Sequence, residues 1–244
     1  MLQRKSVQVQ EAKRTQPQLK PLDVFDGSLA NRVYLSLKDA IMTLAIGPGE
    51  ILRKRDICVD LGVSRSPVSE AIARLATESL VNVVPQAGTY VARFSMAEIR
   101  EGAFLREALE LAAIEELASQ ITDEQLTLLK RNLRVQQALV DDQDFAGFYQ
   151  LDAEMHDLLL GFTGHRRLAN LAQTAWVQVN RARQLILPEP GRVEATIEEH
   201  QKILTALEAR DPLAARDATR AHLRQLITVL EPLERERPEL FDAI

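Results

Sequence analysis

"LGVSRSPVSEAIARL", residues 61–75, decides how the first third of the chain is read. Gly62 suits a left-handed cap ending one helix, and Ser64 suits the N-cap of the next. Pro67 falls in the new helix's first turn, where a missing N–H costs little. Val68, Ile72 and Leu75 form one apolar stripe, which leaves Arg65, Ser66, Ser69 and Arg74 outside. A helix start crowded with small donors and one long cation suits an anion at the dipole's positive end.

Upstream, Leu29, Val33, Leu37, Ile41 and Leu44 recur at helical spacing until Gly47-Pro48-Gly49. A short helix is expected over about 53–61. Downstream, "LVNVVPQAGTYVARF" (80–94) changes period, with β-branched and aromatic residues on both sides of Pro85-Gln86-Ala87-Gly88. Three helices followed by a two-stranded wing make a winged helix-turn-helix. Such a domain places the start of its third helix in the DNA major groove. Arg65 is then the candidate for a bidentate guanine contact, with Ser64 and Ser66 for phosphate or short base contacts.

Charge agrees in sign. Residues 1–94 carry 13 Lys and Arg against 9 Asp and Glu, whereas 95–244 carry 17 against 26. A basic head on an acidic remainder fits one part that meets a polyanion. No apolar run approaches the roughly 20 residues of a membrane span. Residues 1–26 lack a hydrophobic signal region and are expected to form a flexible tail. The single cysteine, Cys58, excludes an internal disulfide and fits a small core residue in a reducing cytoplasm.

Residues 48–91, "PGEILRKRDICVDLGVSRSPVSEAIARLATESLVNVVPQAGTYV", resemble the DNA-binding half of GntR-type bacterial transcription regulators. By that resemblance Arg55, Ser64 and Arg65 fall where the family meets DNA, and Gln86 and Gly88 fall in the wing tip. Ser69 stands where the family usually has a base-reading arginine, and Ala87 where the wing often has one. The resemblance therefore does not carry an operator sequence with it. Affinity is expected to lean on Arg53, Lys54 and the tail cations Lys13, Arg14 and Lys20.

From the capping signature Ser95-Met96-Ala97-Glu98 onward, everything reads helical. Six helices are expected, over 95–119, 123–140, 145–161, 165–187, 192–209 and 212–235. They suit an antiparallel bundle over 95–235, followed by a short tail, 236–244. The fold class is thus mainly α, a winged-helix domain over 27–94 joined to a helical bundle.

Three of the four histidines lie on separate bundle helices. "YQLDAEMHDLLL" puts Asp152 and His156 one turn apart on one face. His200 and His222 each sit beside an apolar stripe. Any one of them suits a hydrogen-bonded core histidine, but three inward imidazoles and a carboxylate form a divalent-metal set, suitable for zinc, nickel or manganese. His165, at a Gly turn beside two arginines, reads as a surface residue.

This half resembles the FCD domain, the effector-binding module of the FadR-like branch of GntR regulators. The motifs are Asp-x-x-x-His, "EHQKILTALEARDPLAA" (199–215) and a final Ala-x-x-His-Leu. The resemblance implies that Asp152, His156, His200 and His222 are metal ligands. It also implies that Arg106, within "LREALELAA", faces the pocket, where a cation beside a metal suits a small carboxylate. Asn180 and Trp176 are further pocket candidates, and Trp176 fits plain core equally. A homodimeric repressor on a palindromic operator is the expectation. The alternatives are a metalloenzyme, which lacks an evident general base near the ligands, and a purely structural ion.

Overall fold

The computed structural model describes residues 19–186 and 191–242. The expected tail cations Lys13 and Arg14, and the turn residues Pro188, Glu189 and Pro190, lie outside the described residues. Helix α1 (Leu29–Met42) starts at Ser28, whose hydroxyl accepts the Asn31 N–H. It stops two residues before the expected Leu44, which has a φ of 59° and lies outside the helix. Helices α2 (Lys54–Asp60) and α3 (Arg65–Thr77) follow. Strands β1 (Val81–Val84) and β2 (Gly88–Val91) then pair antiparallel, Val81 opposite Val91 and Val84 opposite Gly88. The tip requires left-handed backbone at Gln86 and, at Gly88, a φ of 135° that suits glycine.

The stripe Val68, Ile72 and Leu75 meets Val33, Leu37 and Ile41 of α1, so α3 is seated on α1 and its opposite face is left to solvent. Leu29 instead is exposed. Cys58 is half-buried and packs against this core.

The bundle comprises α4 (Met96–Gln120), α5 (Asp123–Asp141), α6 (Phe145–Phe162), α7 (Arg166–Ala175), α8 (Val177–Ile186), α9 (Arg192–Glu208) and α10 (Pro212–Glu236). The expected single helix 165–187 is thus two, broken at Trp176. No proline or glycine marks that break; it is set by packing. Gly102 of α4 faces the junction so closely that a Cβ there would lie 2.9 Å from Val179 Cγ2 and 3.2 Å from the Ala175 carbonyl. Helix α10 packs along α4 and α9, while α5 packs on α6 and α9. Thr122 and Gln125 form a reciprocal capping box on α5, and Asp211 caps α10 ahead of Pro212.

Both expected tails are partly tied down. Leu19 and Leu22 pack on the winged-helix core, and Lys20 pairs with Asp39 at 2.7 Å. At the other end Phe241 is buried on Phe94, ring centroids 5.8 Å apart. Backbone bonds from Phe94 N to Leu240 O and from Asp242 N to Phe94 O hold it there. Aromatic burial overrides the charged composition of 236–244. The halves also touch directly: Val177 packs on the N-terminal core, and Gln178 Nε2 donates to Ser79 O at 3.1 Å. Among the described residues no helix is long and apolar enough to cross a membrane.

Candidate metal centre and nucleic-acid interface

Helices α6, α9 and α10 bring His156, His200 and His222 together in the bundle interior. One ring nitrogen from each lies within 4.8 Å of the others. Each Nδ1 is engaged from outside the cluster. His156 Nδ1 meets Glu110 Oε2 at 2.8 Å, His200 Nδ1 meets Gln136 Oε1 at 3.0 Å, and His222 Nδ1 meets Glu199 Oε2 at 2.7 Å. A carboxylate or amide oxygen can only accept, so each Nδ1 carries the proton and each Nε2 presents a lone pair.

Burial, helped by neighbouring positive charge, pushes His200 and His222 well below the ordinary imidazole value. His156 is also lowered by burial, though Glu110 opposes that shift. The rings are therefore neutral. Two Nε2 atoms, of His222 and His156, face each other at 3.2 Å with no proton between them in that state. His200 Nε2 and Asp152 Oδ1, 3.5 Å apart, are buried and lack a hydrogen-bond partner. Three imidazole lone pairs converge here, with the Asp152 carboxylate beside His200, a donor set that suits a divalent cation.

Arginines surround this cluster. Arg106, buried on α4, pairs with Glu110 at 2.5 Å, and Arg183 of α8 pairs with Asp152 Oδ2. Burial raises Glu110, but Arg106 and His156 outweigh it and hold the carboxyl well below its usual range. Burial lowers Arg183 to about 10. Arg106, Arg183 and His156 line a cavity of about 260 Å³ together with Trp176 and Asn180. Trp176 is buried with its Nε1 lacking an acceptor, while Asn180 accepts the Tyr149 hydroxyl through its backbone oxygen. The three histidines thus come together, Asp152 lies beside His200, and Arg106, Trp176 and Asn180 share a cavity with His156.

Sequence reading missed Glu110, Gln136, Glu199 and Arg183. Glu199 alone left a signal, standing beside His200 in the quoted motif. His165 is exposed and pairs with Glu116, as a surface residue should.

Two family descriptions match the chain: "Bacterial regulatory proteins, gntR family" over residues 29–91, and "FCD domain" over 101–225. An HTH-type transcriptional regulator in an unstable DNA locus of Streptomyces ambofaciens is 34% identical, over 86% of this chain and 88% of its own. The chain belongs to the GntR family. Another GntR relative, the HTH-type transcriptional repressor RspR of Escherichia coli K12, is 30% identical over 86% of this chain and 92% of its own. The fold matches E. coli McbR/YncC with a TM-score of 0.73 at 23% identity, covering 85% and 99% of the two chains. This GntR protein is accordingly a transcription regulator with a DNA-binding head and an FCD effector domain, not an enzyme. The metalloenzyme alternative is set aside.

On the GntR head, Arg55 of α2 and Ser64, Arg65, Ser66 and Ser69 at the start of α3 are all exposed. Ser64 is the N-cap residue, yet its hydroxyl makes no cap bond and is open to a phosphate or base edge. Lys54 Nζ reaches Ser69 Oγ at 3.4 Å, so a cation hangs over the position where the family's usual arginine is missing. Arg74 turns away: it stacks 3.7 Å over the Tyr34 ring and donates to Asn31 Oδ1 at 3.0 Å. Gln86 is exposed at the wing tip and Gly88 half-buried behind it.

Proposed function

We propose that this regulator is a homodimeric repressor on a palindromic operator, released when a small carboxylate binds beside a divalent ion held by Asp152, His156, His200 and His222. Zinc suits the three imidazoles and one carboxylate, with nickel or manganese as alternatives. A bound ion of this kind would offer open coordination positions to a carboxylate oxygen. Glu110, Gln136 and Glu199 fix the imidazole tautomers. Arg106 and Arg183 present guanidinium groups where the acid's second oxygen would lie, with Trp176 and Asn180 on the cavity wall. Arg65, Arg55, Ser64, Ser66, Ser69, Gln86 and Gly88 meet the operator, while Arg74 contributes by bracing α3 on α1.

The observation that carries this reading is the convergence of three buried imidazoles, with His200 Nε2 and the neighbouring Asp152 Oδ1 unpartnered, beside an arginine-lined cavity. A purely structural ion would account for the donors but not for the cavity. The repressor assignment draws support from the relative RspR, a transcriptional repressor. Metal analysis tests the site. Purified protein should retain about one divalent ion per chain, and His200→Ala should lose it. Equal retention by both proteins would overturn the assignment.

A further inference from the structure

The cavity beside the histidines does not end at the bundle. Lys38 and Met42 of α1, in the DNA-binding head, also line it. Lys38 is the hinge of a small polar cluster. Its ammonium donates to Glu78 Oε2 at 2.6 Å and to the Tyr34 hydroxyl at 3.0 Å, and that hydroxyl also donates to Glu78. Glu78 is the C-cap residue of α3, the recognition helix. Arg74, one turn earlier on α3, stacks on the same Tyr34 ring. One cation on the cavity wall therefore clamps α1 to the end of the helix that reads DNA.

The rest of the wall carries two further cations, each already paired with a carboxylate. These are Arg106 and Arg183; buried Trp176, whose Nε1 has no acceptor, lines the cavity with them. Asp157 is the opposing charge on this wall. At about 260 Å³ the space is at or below the small end of ligand pockets, enough for a small acid.

Resting on the carboxylate-sensing reading above, we propose that the effector is a small acid with two anionic ends, one held at the histidine cluster by Arg106 and Arg183, the other taken by Lys38. Taking Lys38 draws it off Glu78. The clamp between α1 and the end of α3 then opens, and the ligand's differential affinity for that arrangement is what biases the reading helix.

Calorimetry on the zinc-loaded full-length chain tests this with two matched pairs, succinate against butyrate and adipate against hexanoate. At least one dicarboxylate should bind more tightly than its monocarboxylate partner. Lys38→Gln should weaken that dicarboxylate about tenfold, the scale of a charge-assisted hydrogen bond, and leave the monocarboxylate unchanged. Glu78→Gln removes the competitor for Lys38 and should tighten the dicarboxylate by about threefold, the scale of a partly exposed ion pair. Equal responses of both acids to Lys38→Gln, or monocarboxylates binding as well as dicarboxylates, would overturn the two-ended effector while leaving the sensing reading intact. If none of the four acids binds the zinc-loaded wild-type chain, both fall.

Discussion

At the scale of single residues, the centre depends on what stands behind each histidine. Glu199 Oε2 accepts from His222 Nδ1 and also from Arg192 at 2.7 Å, so one carboxylate orients the ring and is itself oriented. Glu199→Gln should weaken metal binding by about 10- to 100-fold while leaving the fold intact, as competition against a fluorescent chelator would show. The buried imidazoles also set a pH dependence. Their folded values lie below the ordinary 6.5, so in mild acid the unfolded chain takes up more protons than the folded one. The stability they contribute is complete above 6.5 and is lost as the pH falls below it, by on the order of 1 kcal/mol per ring for each unit of depression. Melting of the metal-free chain between about pH 7.5 and 5.5 should show this loss, and metal affinity should fall in the same window because protons compete for Nε2. A melting temperature flat across that range would contradict the buried neutral rings. The clustering of the three histidines was legible, because an i, i+4 pair and imidazoles beside apolar stripes leave a periodic trace. Glu110 and Gln136 were not: they lie 46 and 64 residues from their histidines, and nothing in local spacing marks a glutamate or glutamine as buried.

At the scale of elements, α3 and the strand pair follow from patterns that a chain can carry locally: a stripe of period 3.6, a cap, and a change to period two. The Trp176 break does not. It arises from the close approach of α4 at Gly102, a contact between segments some seventy residues apart in the chain. The DNA-contact roles proposed for exposed cations of α2 and α3 are of two physical kinds. On the proposed base-edge role, Arg65→Ala, at the exposed start of α3, should cost about 1–3 kcal/mol on a preferred DNA site and relax sequence preference. Lys54, reaching over Ser69, is placed for backbone phosphate. Lys54→Ala should weaken all sequences alike and reduce the salt slope by about one. Anisotropy titrations on preferred and scrambled DNA separate these outcomes, and interchanged behaviour of the two variants would reverse the assignment of roles.

At the scale of the whole molecule, the two halves are not beads on a string. The chain's end folds back to bury Phe241 on Phe94, directly after the wing, and Val177 of α8 packs into the winged-helix core. The segment joining head and bundle is thereby held from both sides, so a change around α8 has a physical route to α1. Neither contact was visible in the sequence, since a charged terminal stretch with one aromatic gives no sign of where that aromatic goes. Coupling between an effector site and a DNA site in regulators is typically about 1–3 kcal/mol, or about 5- to 150-fold in affinity.

The central claim is that a metal-bearing imidazole cluster senses an acid and passes the result to the DNA-reading head. The most direct measurement is the DNA affinity of the zinc-loaded chain, on a fragment selected for binding, with and without a panel of small carboxylates. At least one acid should weaken DNA binding about fivefold or more in the wild type, and none should do so in His200→Ala, compared at matched DNA affinity without acid. Equal release of DNA from both proteins, or release from neither, would contradict the account.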